Sequence, residues 1–415
     1  MTAQPVAQAQ LPVEGKWIRL QHQSLTDDEA KTLVASFDAA VPQWLEYWDI
    51  DQQSIQDWKI QAWVIDDVAT ARRRGIVPVD LPEFRYGYAS GKRIWVVRQP
   101  SEYYTRHLLL HEGVHALMFR SFGGAGPSWF MEGTAELLSL HQGQEESTRV
   151  NRLPRDADDT PYWGRLTMLS DRRQTDQSPS LAGVMRLPQV LRGDVESFGW
   201  SWAAVLLLDT YPAYHLALDN AAKRGREAAS VFNRRLYEDL RQEWPIVQAR
   251  WALLCDRLDY GFDPGREQVQ LSTQDPRWNG QQISAEVVAD RGWQSCGVWF
   301  PAGATLRLQA SGDCVLADTT RPWRSEPQGI TIHYHKGRPL GELLACVLPL
   351  RSDKSAAMRQ PIRAIPVGRK ANVSVPENSW LLMCINDPVG QLDDNSGSYQ
   401  VKMSRFEPRH TGPKD

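Results

Sequence analysis

The feature that most constrains this chain is a pair of histidines four positions apart, His111-Glu-Gly-Val-His115, followed after sixteen residues by Glu132. At that spacing two imidazoles stand on one face of an α-helix, one turn apart. The preceding Leu108-Leu-Leu110 is strongly apolar, so the helix is expected to be buried, running from about Ser101 to Phe122 and closed by Gly123-Gly-Ala-Gly-Pro127. A second helix is expected near Pro127-Ser128, with Ser128 capping and Trp129 opening its apolar face. On the first helix the imidazoles of His111 and His115 can share one tetrahedral cation. Glu112, one step round the first helix, can reach a water held there. The first motif alone is also compatible with an amphipathic helix showing two histidines to solvent.

The surrounding residues narrow this choice. Glu132 lies in Trp129-Phe-Met-Glu-Gly-Thr-Ala-Glu136, and the first motif closes the block Tyr104-Thr-Arg-His-Leu-Leu-Leu-His-Glu-Gly-Val-His115. Here the chain resembles the gluzincin clan of zinc metallopeptidases, which includes thermolysin and the zinc aminopeptidases, and most of all a secreted peptidase-like bacterial branch of it. The likeness runs over roughly residues 55–225 and is specific in these two blocks. It implies zinc on His111, His115 and Glu132, Glu112 as general base, and Glu136 as the carboxylate that holds a ligand histidine. Zinc with three protein ligands keeps a fourth position for water, and the clan's reaction is hydrolysis of a peptide bond. Clan members add a Tyr or His that hydrogen-bonds the oxyanion. In Ser197-Phe-Gly-Trp-Ser-Trp202 that position holds Phe198, leaving Tyr162, Tyr211, Tyr214 and His215 as other candidates.

Around this pair of helices the sequence reads as α+β. Thr26-Asp-Asp-Glu29 has capping-box spacing ahead of Leu33, Val34, Phe37 and Val41. Trp58–Ile65 and Arg93–Arg98 read as strands, the second either an ordinary sheet strand or an edge for an extended peptide, and 75–82 reads as a loop. Residues 151–180, polar and rich in Pro, Asp and Arg, read as a long surface loop, with helices at 181–192, 200–223 and 228–257. His107 is expected to be packed near the first helix's histidines, His141 to lie at the surface of a helix end, and His333 and His335 to share one solvated sheet face.

After about residue 270 short alternating segments with frequent Gly, Pro, Asn and Asp indicate an antiparallel β-sandwich. The stretch 264–278 is expected to link two domains, 1–265 and 279–406. The expected fold is thus a zincin-like catalytic domain, a small sheet plus helices, followed by the sandwich. Asn386 to Tyr399 is a loop dense in oxygen donors, and it resembles the closing segment of the small calcium-dependent galactose-binding bacterial lectins. That resemblance implies calcium on Asp387, Asp394 and Asn395, and a glycan as ligand. Gln391 and Asp394 depart from the lectin pattern, and Ser325, beside Glu326-Pro-Gln-Gly329, stands where the lectins carry a sugar-contacting histidine. Composition alone reads the same segment as a polar hairpin loop.

The net charge of −3 gives no reason to expect nucleic acid as partner, and no apolar run is long enough to span a bilayer. The five cysteines, Cys255, Cys296, Cys314, Cys346 and Cys384, form no C-x-x-C pair; one or two disulfides and free buried thiols are equal readings. Ala7-Gln-Ala-Gln10 has the look of residues left after leader cleavage, so a secreted or periplasmic chain is expected, a cytoplasmic one being the alternative. Two further functions stay open: a catalytically weakened zinc protein that binds glycans through its sandwich, and a zinc hydrolase of a non-peptide amide. Substrate preference, endo- or exo-cleavage and oligomeric state are not legible.

Overall fold

A computed structural model describes residues 11–189, 194–350 and 361–406. The chain divides into two compact units. One comprises residues up to Leu169 together with Val184–Asp239, the other Ser170–Gly183 together with residues from Leu240 onward.

The first unit is α+β. Its sheet has the order β1 (Val13–Glu14), β2 (Ile18–His22), β3 (Ile60–Ile65), β5 (Arg93–Val97), β4 (Gly87–Ser90). β2, β3 and β5 run parallel, while β1 and β4 are antiparallel to their neighbours, which leaves β4 as an edge. Helix α1 (Asp27–Tyr47) starts at the expected capping box: Thr26 N–H donates to Glu29 at 2.6 Å and Glu29 N–H to the Thr26 hydroxyl at 3.2 Å. A short α2 (Val68–Arg73) precedes the loop at 75–82.

From β5 the chain enters α3 (Glu102–Phe122), whose N-cap Ser101 accepts from Tyr104 N–H at 3.2 Å. Gly113, inside the histidine motif, explains how α1 and α3 pack. A Cβ there would fall 2.5 Å from Phe37 and 3.0 Å from Trp44, so only a glycine lets those rings rest on the helix. α4 (Ser128–Ser139) follows, capped by Pro127 rather than by Ser128; the Ser128 hydroxyl instead donates to the Pro188 carbonyl at 2.5 Å. α7 (Val195–Thr210) packs against α4.

Further expectations for this unit are corrected. Arg93–Val97 is not an edge, because β5 is paired on both sides, with β3 and with β4. Residues 151–180 are not a surface loop. They include α5 (Arg165–Gln174), and Trp163, Arg165, Leu166 and Leu169 are buried. His141, on β6 (His141–Gln142), is only 1% exposed, because Arg106 Nε–H donates to its Nε2 at 2.8 Å and its Nδ1–H donates to the Ser139 carbonyl at 2.9 Å. The helix expected over 200–223 is two helices, α7 and α8 (Pro212–Ala222), because Pro212 has no N–H to continue the first and is well suited to start the second. The helix expected over 181–192 is only the short α6 (Leu181–Val184), residues 190–193 lying outside the described residues, and the one expected over 228–257 is two, α9 (Ala229–Leu240) and, in the second unit, α10 (Trp244–Arg257).

The second unit contains the expected sandwich. β8 (Ile283–Val288), β17 (Ser396–Arg405), β10 (Ala304–Val315) and β15 (Lys370–Val375) form most of one sheet. β9 (Gln294–Phe300), β16 (Ser379–Ile385), β13 (Arg338–Pro349) and β12 (Gln328–His335) form most of the other. All these pairs are antiparallel. Phe300, Leu306, Leu308, Leu343, Leu381, Met383, Tyr399 and Val401 form the core between the sheets. β16 is buried at every position, which explains its unbroken apolar run. Its other face, with Trp380, Leu382 and Cys384, packs on Ile246, Ala249 and Leu253 of α10. The stretch 264–278 is a packed segment rather than a loose linker: it opens with α11 (Pro264–Glu267), and Val269, Leu271 and Trp278 are buried. All five cysteines are free thiols, four of them buried.

Candidate metal centre

α3 and α4 bring the three sequence-predicted ligands together. His111 Nε2 lies 3.1 Å from Glu132 Oε2, His115 Nε2 lies 3.3 Å from the same oxygen, and the two Nε2 atoms are 3.1 Å apart. Ligands bound tetrahedrally at about 2.0–2.1 Å from a zinc-sized ion stand about 3.3 Å from one another. The triangle has sides of that length, so the donor set and its spacing both fit such an ion. All three residues are largely shielded, with side chains 7%, 9% and 14% exposed in the order His111, His115, Glu132.

Glu112 is 6% exposed and rests against the edge strand β4. A Cβ on Gly87 would fall 2.6 Å from Glu112 Oε1, so glycine leaves the space that the carboxylate fills. Burial pushes the Glu112 carboxyl up to about 8, opposed by His115 and aided by Glu132. A cation in the triangle would draw it back down by direct Coulomb attraction. Burial also works to raise Glu132, yet His115 and His111 outweigh it and hold that carboxyl at about 2.

Glu136 is 2% exposed and fully engaged. Trp163 Nε1–H donates to Oε2 at 2.7 Å, Arg165 donates to Oε1 at 2.9 Å, and His107 Nε2 lies 3.3 Å from Oε2. Against the upward push of burial, Arg165 first and then His107 hold this carboxyl well below its usual range. Its Oε1 is 3.9 Å from His111 Nδ1, beyond hydrogen-bond length, and the Nδ1 atoms of His111 and His115 are buried without a partner. Glu136 therefore backs His111 as a nearby charge rather than as a direct acceptor. His107, His111 and Glu136 also cluster closely enough to suggest a second ion. The Arg165 guanidinium already in contact with Glu136 makes that arrangement unfavourable to a cation.

Trp163 and Arg165 are the residues that the sequence reading missed. They enter from a turn in which Tyr162 (φ 70°) and Gly164 (φ 62°) are both left-handed, with Trp163 turned inward onto Trp202, ring centroids 4.9 Å apart. The available signal was Tyr162-Trp-Gly164, an aromatic pair beside a glycine inside an otherwise polar stretch.

Of the aromatic candidates for an oxyanion donor, Tyr162 is 68% exposed, Tyr211 and Tyr214 are buried against each other, and His215 is bonded to Asp209 at 3.0 Å. Phe198 is the one whose ring approaches a candidate ligand, its centroid 6.3 Å from that of His111. It has no group to donate.

Beside Glu112, β4 presents free backbone groups. Val97 N–H donates to the Tyr86 carbonyl, and in the β4–β5 register Tyr88 and Ser90 likewise face β5. The backbone N–H and C=O of Gly87 and Ala89 therefore face outward from the edge.

In the sandwich, two of the three residues of the lectin-like loop are together. Asn395 Nδ2–H donates to Asp387 Oδ2 at 2.7 Å, and Asp387 Oδ1 and Asn395 Oδ1 are both buried without a partner. Burial pushes the Asp387 carboxyl up to about 7, against the Asn395 hydrogen bond. Asp394 is exposed and accepts from Asp318 N–H at 3.0 Å.

No family model matches this chain, and no curated protein does. Among solved structures, the chain is similar to the EclA N-terminal domain, a PllA-like lectin. That match is 26% identical, covers 30% of this chain and 98% of that one, and has a TM-score of 0.22. Another similar structure is Aeromonas hydrophila PliG, a periplasmic lysozyme inhibitor of g-type lysozyme, at 6% identity, 34% and 99% coverage and a TM-score of 0.17. No described helix is long and apolar enough to cross a membrane.

Proposed function

We propose that this chain is a zinc-dependent peptidase of the gluzincin type, with His111, His115 and Glu132 holding the metal and Glu112 acting as general base. The observation that carries the reading is the triangle of two imidazole nitrogens and one carboxylate oxygen, with sides of 3.1–3.3 Å, beside the buried carboxylate of Glu112. When bound, zinc supplies Lewis acidity to a carbonyl and acidity to a water.

The chain's own groups do the rest. Glu112 accepts the proton of the attacking water and returns it to the leaving amine, a role that a buried carboxylate with raised proton affinity suits. The outward N–H and C=O groups of Gly87 and Ala89 can pair with an extended substrate as an added antiparallel strand, aligning the scissile bond along the edge that Glu112 touches. Glu136, fixed by Arg165, Trp163 and His107, keeps a negative charge behind His111.

For the sandwich, the orphaned oxygens of Asp387 and Asn395 suit a hard cation, so calcium on these two residues is part of the proposal. Asp394 is left out, being turned to Asp318. Glycan binding by this unit is the second reading, and Phe198 in place of a hydroxyl donor favours it over efficient catalysis.

The deciding experiment is a peptide-library digest with the wild type and Glu112→Gln at equal metal content. Cleavage by the wild type alone supports the peptidase. Equal cleavage by both proteins overturns the assigned base, and no cleavage by either moves the weight to the glycan reading.

A further inference from the structure

The block Tyr104 to His115 contains one charged residue that the proposed chemistry does not use. Arg106 is 7% exposed. Its Nε–H donates to the neutral Nε2 of His141 at 2.8 Å, while among the described residues no carboxylate lies within ion-pair distance of its guanidinium. Burial itself works against this charge, lowering the Arg106 pKa. Tyr103 and Glu102 partly offset this, but with no carboxylate in direct contact the charge is costly unless something else accepts its remaining hydrogens. Arg106 lines an open cavity of about 460 Å³, entirely within the first unit.

The wall of this cavity combines an aromatic stack with charges of both signs. Tyr103 and His141 stack with ring centroids 4.4 Å apart and 11° between planes, a flat apolar surface next to the guanidinium. His141 is kept neutral, burial foremost and then Arg106 pushing it down to about 3, so it adds no second charge at depth. At the rim stand Arg155 and Asp158, exposed, and Asp159, half-buried. Asp159 accepts from Arg155 N–H at 2.8 Å, which ties the rim together. Positive charge at depth with two carboxylates at the mouth disfavours a dianion such as phosphate. It favours a single carboxylate that carries a cationic group a few bonds away.

We propose that this cavity is a binding site for a carboxylate ligand, best matched by a zwitterionic α-amino acid, its carboxylate on the Arg106 fork and its ammonium towards Asp158 and Asp159. Guanidinium and carboxylate pair through two parallel hydrogen bonds, which lysine cannot reproduce. The site does not depend on the metal or on the proposed peptidase activity.

The test is calorimetric titration of the full chain with L-phenylalanine, N-acetyl-L-phenylalanine, L-phenylalaninamide and inorganic phosphate. Saturable binding of phenylalanine, at least tenfold weaker for the amide and for phosphate, is the expected result. Arg106→Lys should weaken phenylalanine at least tenfold. Because that residue is buried, Asp158→Asn on the exposed rim serves as the second variant: it should narrow the gap between phenylalanine and its N-acetyl form. Amide binding equal to that of the acid, phosphate preferred to phenylalanine, unchanged affinity in Arg106→Lys, or no saturable binding by any probe would each overturn the proposal.

Discussion

Glu112 and Gly87 are in direct contact: a methyl group on Gly87 would fall 2.6 Å from the Glu112 carboxylate oxygen. The position of the proposed base is thus set partly by what the neighbouring strand lacks. Gly87→Ala must push Glu112 aside while leaving His111, His115 and Glu132 alone. A general base contributes about 10²–10⁴-fold to rate, so kcat should fall at least about tenfold at unchanged metal content. Full activity in this variant would show that Glu112 does not act from its observed position.

Arg165 and Glu136 form an ion pair buried on both sides, 7% and 2% exposed. Removing one partner of such a pair leaves an uncompensated charge and costs about 3–5 kcal/mol. Arg165→Met should therefore destabilise the first unit by that order in denaturant unfolding, and Arg165→Met with Glu136→Gln should recover most of the loss. A single variant as stable as wild type would mean that the pair is better hydrated than its burial implies.

Asp387 gives the sandwich a pH signature. Its folded carboxyl is raised to about 7, against about 3.9 unfolded. Its contribution is therefore fully present below pH ~4 and lost as pH rises through about 7, with a slope of at most about 1.4 kcal/mol per pH unit. In chelator, stability should fall over that window for wild type and stay flatter for Asp387→Asn. Calcium should restore wild-type stability at neutral pH, and unfolding curves with and without the ion check both points.

Phe198 stands by His111 without a donor. If the missing hydrogen bond limits turnover, Phe198→Tyr should raise kcat towards the 10²-fold or so that one oxyanion donor is worth, with KM little changed. A kcat unchanged or lowered would show that position 198 does not face the reacting carbonyl.

Much of this centre was legible because helical periodicity carries it. His111 and His115 one turn apart, the glycine-rich stop and Glu132 on the next helix are local facts, and α3 and α4 fall close to where the sequence places them. The capping box at Thr26 was legible for the same reason. Trp163 and Arg165 were not, because their role is a tertiary one: charge and aromatic residues in a polar stretch look solvated until a buried Glu136 draws them in. His141 was misplaced similarly, since Tyr103 and Arg106, from a distant turn of α3, help to explain its burial. In the sandwich, alternation located most strands. β16 breaks it because α10 covers its second face, a pairing no local pattern announces.

The central claim is that His111, His115 and Glu132 hold one catalytic zinc ion, and the most direct test is elemental analysis of the purified chain beside Glu132→Ala. The account predicts one zinc per wild-type chain and a large loss in the variant, with the fold retained by circular dichroism. A wild-type chain that takes up no zinc after incubation with the metal, or a variant that binds it as tightly, would contradict it.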